Sequence, residues 1–261
     1  MIPKVITGTT LKWVALVTML IDHIGAVLLE SVTNVQVGEA AYDVIQGVDE
    51  ILRAIGRLSF PLYVFLLAEG FFHTHDRIKY FGRLAAFALI SELPFDLCFS
   101  YTAARGESLI SFGYQNVFFT LLLGFAAMYV MEKIRPDDRD FAGPQTVFFV
   151  KLFGCAIVAA IFAIIANLLK TDYAASGVVA CACAYAMWFT GSYILMYFAL
   201  LIPLIFYSPV ESFAVFGLVV VAMYNGKRGK SLPSWFFYLT YPVHLMVYGL
   251  IRVLGILIWW Q

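Results

Sequence analysis

The chain has 261 residues, 62% of them hydrophobic and 13% charged, a mean hydropathy of +0.86 and a net charge of zero. A soluble domain carries about 25% charged residues, so this composition excludes one, and with no basic stripe it also excludes a nucleic-acid-binding surface. The expectation is all-α: a polytopic transmembrane helix bundle of about nine spans forming a single integral-membrane domain over residues 1–261. The four cysteines, Cys98, Cys155, Cys181 and Cys183, lie in or beside apolar runs and read as small packing residues, with neither a disulfide framework nor a zinc site indicated.

Apolar runs in chain order predict spans near Leu11–Leu29, Ile51–Phe72, Tyr80–Phe99, Tyr114–Met131, Val147–Leu169, Ala174–Phe189, Tyr193–Tyr207, Ser212–Tyr224 and Trp235–Ile258. The first run contains charge and is not followed by a small-residue cleavage site, so it reads as a retained span rather than a signal peptide. The segment from Glu30 to Glu50 reads as an outside loop. Lys4, Lys12, Arg77, Lys79, Arg83, Lys133, Arg135, Arg139, Lys151, Lys227, Arg228 and Lys230 flank alternate connections and outnumber Arg53, Arg57, Arg105, Lys170 and Arg252 on the other side. Positive charge is retained in the cytoplasm, so the N-terminus is expected inside, with Trp259 and Trp260 at the outer interface. Tyr42, Tyr101 and Tyr173 read as interface residues as well. No internal repeat of the inverted-transporter kind is visible.

The information lies in charges placed where they are costly. A charge at the centre of a span costs about 2.5–3.5 kcal/mol on insertion scales, so such residues face a cavity or a partner. Asp22 and His23 interrupt the first span. Arg53 and Arg57 stand one helical turn apart on one face, and Glu92, Asp96, Asn116, Asn167 and Asp172 reach the same outer layer. A polar cavity opening outward accounts for them together; ion pairing and polar packing between helices is the competing structural account. Adjacent helical residues diverge by about 100°, so Asp22 is expected to hold an arginine rather than to orient His23.

Lys12 lies eleven residues before His23, which returns to nearly the same helix face about 16 Å away. A cation at the cytoplasmic mouth suits a phosphate, and a neutral imidazole deeper in suits a general base. The separation is comparable to an extended pantetheine arm, which makes an acyl-coenzyme A a sensible ligand. The bland alternative for Lys12 is a snorkelling topology anchor. His73 and His75, beside Asp76, read as solvated loop residues because no third metal ligand is nearby; no metal is expected. Glu69 is expected to pair with Lys79 or Arg83.

The runs LKWVALVTMLIDHIGAVLL, IGRLSFPLYVFLLAEGFF, RIKYFGRLAAFALISELPFD, QNVFFTLLLG from Gln115, DYAASGVV from Asp172 and LTYPVHLMV near the C-terminus, spread in order over almost the whole chain, resemble the TraX family. The type member of that family is associated with N-terminal acetylation of conjugative pilin subunits. More loosely, the Lys12–His23 spacing, FPLYVFLLAEGFF, the basic segment Arg77–Arg83 and the element Tyr241, Pro242, His244 resemble bacterial integral-membrane acyltransferases that modify surface polysaccharides. The spacing of Arg77, Lys79 and Arg83 departs from the paired arginines of those enzymes, which leaves the donor contacts on that side open.

The resemblances imply a membrane acetyltransferase of the bacterial inner membrane using acetyl-CoA as donor substrate. Lys12, Lys79 and Arg83 are the expected phosphate contacts, and His23 the base or acyl carrier. Asn116 and Tyr241 are candidates to polarise the thioester carbonyl, and His244 is either a second catalytic imidazole or a hydrogen-bonded core residue. Asp22, Arg53, Arg57, Glu92, Asp96 and Asp172 are the expected cavity and acceptor residues. The acceptor is a protein N-terminus or a cell-surface glycan, and the other partner is the lipid bilayer. A homodimer stays open, because the small residues Ala174, Ala175, Ser176 and Gly177 suit packing within one chain or between two. The rival classes are an ion-coupled transporter or flippase, in which buried ionisable residues serve as relays, and a noncatalytic organiser of an envelope assembly.

Overall fold

The computed structural model describes residues 3–33, 38–100, 110–137, 139–140, 145–230 and 233–259, with backbone alone at 32, 33, 234 and 256–259. Tyr101, Arg105 and Trp260 lie outside the described residues, as does the side chain of Trp259. Among the described residues the architecture is a bundle of α-helices without named strands.

Helix α1 spans Gly8–His23 and continues through a π-helical segment, Ile24–Leu29, into a short turn, Glu30–Thr33. Thr7 caps it, its hydroxyl accepting the Thr10 N–H. Leu11, Ala15, Thr18 and Met19 share its buried face, while Trp13 and Val17 face outward. The π segment begins at the residue after His23, where the wider turn shifts every later side chain around the helix; such single-turn insertions concentrate at functional sites. α2 (Glu39–Gly56) and α3 (Ser59–His73) follow, joined by a turn at Arg57 and Leu58. Much of the expected Glu30–Glu50 loop is therefore helix. Its apolar residues Val44, Val48, Ile51 and Ile55 recur at helical spacing on one exposed face, and the charges that suggested a loop occupy the others. α3 is apolar nearly all round and stands at the centre, with Phe60, Leu62, Val64, Phe65, Leu67, Ala68 and Phe71 buried; Pro61 falls in its first turn, where a missing N–H is harmless.

α4 (Arg77–Phe99) is capped by Asp76, whose carboxylate accepts the Lys79 N–H at 2.9 Å. It lies along α10 (Ser234–Trp259): the Cys98 thiol donates to the Leu245 carbonyl, and Arg252 donates to the carbonyls of Leu97 and Cys98, which the helix end leaves without an internal donor. α5 (Val117–Ile134), α6 (Gln145–Leu168) and α7 (Ala174–Trp188) form a second group. Gly124 and Gly177 on α5 and α7 sit where a Cβ would collide with Cys181 and Thr120, so these helices pack at the close distances that favour association in lipid. α6 buries little beyond Cys155, Ala163 and Ala166, and presents Phe149, Phe153, Ile161, Ile164 and Leu168 outward.

After α8 (Tyr193–Tyr207), the expected Ser212–Tyr224 span is a 3-10 helix, Pro209–Phe216, running into α9 (Gly217–Ala222). The tighter 3-10 winding rises about 2.0 Å per residue against 1.5 Å in an α-helix, so these few residues reach as far as a longer α-helix would. Segments Gly8–Leu29, Glu39–His73, Val117–Ile134, Gln145–Leu168 and Trp235–Gly255 are long and apolar enough to cross a membrane, and three shorter apolar helices accompany them. Their outward-facing Leu, Ile, Val and Phe side chains have no place on a water-facing surface of this extent, and bilayer hydrocarbon is the solvent that suits them.

Candidate functional site

A cavity of about 600 Å³ runs along the inside of the bundle. One end is lined by Gly8, Lys12, Glu69, His73, Arg83 and Arg228, and the other by Asp22, His23, Gly56, Asp172, Tyr173 and Tyr241. The walls between are apolar and aromatic, from Tyr63, Leu66, Leu67, Phe118 and Leu121. Lys12 and His23 thus share this cavity, as one helix face requires.

The imidazoles of His23 and His244 meet inside it. His23 Nδ1 lies 2.7 Å from His244 Nε2, with the ring planes 17° apart, and His244 Nδ1 lies 2.8 Å from the Thr240 carbonyl, one turn back on α10. A carbonyl only accepts, so His244 Nδ1 carries the hydrogen and Nε2 offers a lone pair; His23 Nδ1–H donates to it. The order of these two bonds fixes the neutral tautomer of His23 and leaves its Nε2 as a bare acceptor. His23 lines the cavity, whereas His244 stands behind it, 6% exposed. Tyr241 and Phe99 pack edge-on against the His23 ring.

Asp22 turns away from this pair. Its two oxygens accept from Arg53 Nη1 and Arg57 Nη2, each at 2.6 Å, and Arg57 Nη1 reaches Glu211 at 2.8 Å while its Nε donates to the Arg53 carbonyl. Arg53 also faces Glu30 at 3.5 Å. Gly56 makes the approach of α1 and α2 possible, since a Cβ there would occupy the space of the Asp22 carboxylate. Charges buried this deeply persist only when matched, and here each acid meets a guanidinium. Arg53 and Arg57 therefore brace the wall through Asp22 and do not line the cavity themselves. Sequence reasoning missed Glu211, 1% exposed; its signal was an acid at the start of a short apolar run, beside Pro209.

Other expected residues divide sharply. Asn116 does not line the cavity: it caps α5 through its Oδ1 and the Phe118 N–H, and its Nδ2 donates to Ala88 O and Glu92 Oε2, which leaves no donor for a carbonyl. Glu92 is its partner, and Asp96 accepts the Ser111 N–H. Asp172 does line the cavity, holding the Tyr114 hydroxyl and the Tyr173 N–H. Tyr173 is a cavity wall rather than an interface residue, stacked on Phe60 at 3.8 Å between centroids. Lys170, Tyr173 and Ala174 all have positive φ in one short connection, an uncommon conformation for side chains with a Cβ.

At the other end Arg83 lines the cavity, but Lys79, one turn earlier on α4, is 79% exposed, pairs with Asp76 at 3.2 Å and does not line it. Glu69 bonds the Tyr224 hydroxyl instead of Lys79 or Arg83. His73 lines the cavity with its Nδ1 on the Glu69 carbonyl, and His75 is exposed. Among the described residues no group of three His, Cys, Asp or Glu is placed to hold a metal ion.

Comparisons with known proteins bear on this arrangement. The probable fimbrial assembly protein FimC of serogroup H1 from Dichelobacter nodosus is 33% identical over 121 residues, which is 46% of this chain and 44% of that protein, so the similarity spans less than half of the relative. No solved structure matches the chain. The family model described as TraX protein matches residues 7–252, which include Lys12, His23, Asp22, Arg57, Glu211 and His244, and the chain belongs to the TraX family.

Proposed function

We propose that this membrane protein is an acyltransferase of the bacterial inner membrane that moves an acetyl group from acetyl-CoA to an amine or hydroxyl. The observation that carries the reading is the ordered pair of imidazoles inside the cavity: a hydrogen-bond chain that leaves His23 Nε2 as a base. Acetyl-CoA enters at the Lys12 end, taken as cytoplasmic, with its phosphates near Lys12 and Arg83 and its thioester carried toward His23 along the apolar wall.

The chemistry balances on that one nitrogen. His23 Nε2 takes the proton of the acceptor N–H or O–H as the acceptor atom attacks the thioester carbonyl carbon, the C–S bond breaks, and the departing thiolate takes the proton back. His244 is a positioning residue: it holds the tautomer and accepts part of the charge that develops on the His23 ring, much as a carboxylate does behind a catalytic histidine. Asp22 is not available for that task because both its oxygens are held by arginine. The same matching weighs against an ion-coupled relay, since Asp22 and Glu211 lack the freedom to exchange protons with the cavity. The family's association with pilin acetylation, and the fimbrial assembly named for the relative, support an acceptor on a surface-fibre subunit.

The test is donor binding followed by transfer. Coenzyme A should raise the thermal midpoint of the purified protein in detergent. His23→Ala should retain that stabilisation and lose on the order of 10²–10⁴-fold in acetyl transfer, the usual contribution of a general base. Unchanged turnover in His23→Ala would remove the base, and absence of any response to coenzyme A would remove the donor.

A further inference from the structure

The connection Tyr-Asn-Gly-Lys-Arg-Gly-Lys, residues 224–230, plays no part in the chemistry at His23, and its lysines and arginine entered the sequence reading only as topology signals. Gly226 and Gly229 have φ of 71° and 76°, which glycine adopts without steric cost. The backbone of this segment is sewn onto the start of α1. Ile6 N–H donates to Met223 O, Asn225 N–H to Ile6 O at 2.9 Å, and Gly8 N–H to Lys227 O at 2.8 Å. Arg228 O accepts both the Thr9 N–H and the Thr9 hydroxyl, at 2.9 and 2.8 Å.

The carbonyls of the turn thus satisfy the first N–H groups of α1, and the cationic side chains are not needed to hold it in place. Lys227, Arg228 and Lys230 are exposed, and Arg228 lines the cavity mouth together with Lys12 of α1 and Arg83 of α4. Cations from three separate elements converge there. Among the described residues lining that end the carboxylate is Glu69, which is already bonded to Tyr224. Like charges gathered at a partly dry mouth repel one another until an anion of matching charge joins them.

We infer that Arg228, presented by the Asn225–Lys230 turn, is a phosphate ligand that grips the nucleotide phosphates of the donor, the role expected of Lys79, which pairs with Asp76 and does not line the cavity. This rests on the acyltransferase reading for the identity of the donor. A guanidinium on a rigid turn offers a phosphate two parallel donors, and Lys12 and Arg83 supply point charge and further hydrogen bonds around it. Because the turn is bonded to α1, the same helix that carries His23, it sets a fixed distance between the phosphate grip and the base.

The experiment measures binding of adenosine 3′,5′-bisphosphate, the phosphate-bearing half of coenzyme A alone, to full-length protein in phosphatidylcholine nanodiscs. Arg228→Gln should weaken binding by about tenfold or more, with Arg228→Lys in between, as for loss of a charge-assisted hydrogen bond. The backbone carbonyl of residue 228 keeps its bonds to Thr9 in both variants, and an unchanged thermal midpoint checks that the turn stays seated. No binding to the wild type, or equal binding to Arg228→Gln, would overturn the assignment, as would displacement of the bisphosphate by added phosphatidylglycerol, which would make the site one for lipid headgroups. Arg228-dependent binding without any acetyl transfer would leave the phosphate site standing and remove the acyltransferase reading. Transfer with Arg228-independent binding would do the reverse.

Discussion

Replacing His244 by alanine tests the mechanism at its most specific point. The variant removes the acceptor 2.7 Å from His23 Nδ1 and leaves a buried N–H with no partner. An unsatisfied buried donor costs about 1–3 kcal/mol, and the ring avoids that cost by moving its hydrogen to Nε2, which abolishes the base. Either way the loss falls on the transition state, because the developing imidazolium has lost its partner. At about 1.4 kcal/mol per factor of ten, kcat for acetyl transfer should fall by roughly 5- to 150-fold. Coenzyme A affinity should hold, since His244 does not line the cavity. The assay is steady-state release of free coenzyme A thiol in nanodiscs, with kcat and KM separated. His244→Gln offers an amide oxygen near the position of Nε2 and should recover part of kcat. The double variant His23→Ala/His244→Ala should be no slower than His23→Ala alone, since a positioning residue has nothing left to position. A kcat within twofold of wild type in His244→Ala, or equal losses from the two histidines that multiply in the double variant, would refute the pairing.

Arg57→Met should destabilise the protein by about 3–5 kcal/mol in chemical denaturation from mixed micelles, because Glu211 and one oxygen of Asp22 are left buried without a counter-charge; the double variant Arg57→Met/Glu211→Met should recover much of that loss, and a single variant as stable as wild type would mean the network is not buried in this way. Asp76, in the connection ahead of α4, is held below the ordinary carboxylate range by the Lys79 N–H and then by the Lys79 side chain. A depressed folded value means the cap's contribution is complete above the unfolded value of about 3.9 and disappears as pH falls through the lower folded one. The stability difference between wild type and Asp76→Ala should therefore be constant from neutral pH down to about 4 and shrink below it, and a difference that shrinks at higher pH would contradict the cap.

Much of this site was legible one helix at a time. The Lys12–His23 stripe follows from the pitch of a single helix, which is why residues eleven apart share the cavity. The divergence of Asp22 from His23 follows from the same rotation, and the spacing of Arg53 and Arg57 placed two guanidiniums on one face. The local sequence misled at Glu30–Glu50, where dense charge reads as a loop while an amphipathic helix satisfies the same residues with one face in lipid. It misled again at Asn116 and Lys79, whose residue types suit a carbonyl donor and a phosphate contact but which respectively cap a helix and pair with Asp76 instead.

Composition and helical period thus determined the membrane-spanning α-fold, the burial of His23 and its alignment with Lys12, because those depend on water, lipid and the turn of one helix. Tertiary structure alone decided that His244, 221 positions away, accepts the His23 hydrogen, that Glu211 completes the arginine network, and that Arg228 stands at the mouth beside Lys12. Each of these pairings joins segments far apart in the chain, and their meeting depends on how helices cross, on the glycines that let them approach and on the π turn after His23, none of which periodicity within a single segment encodes.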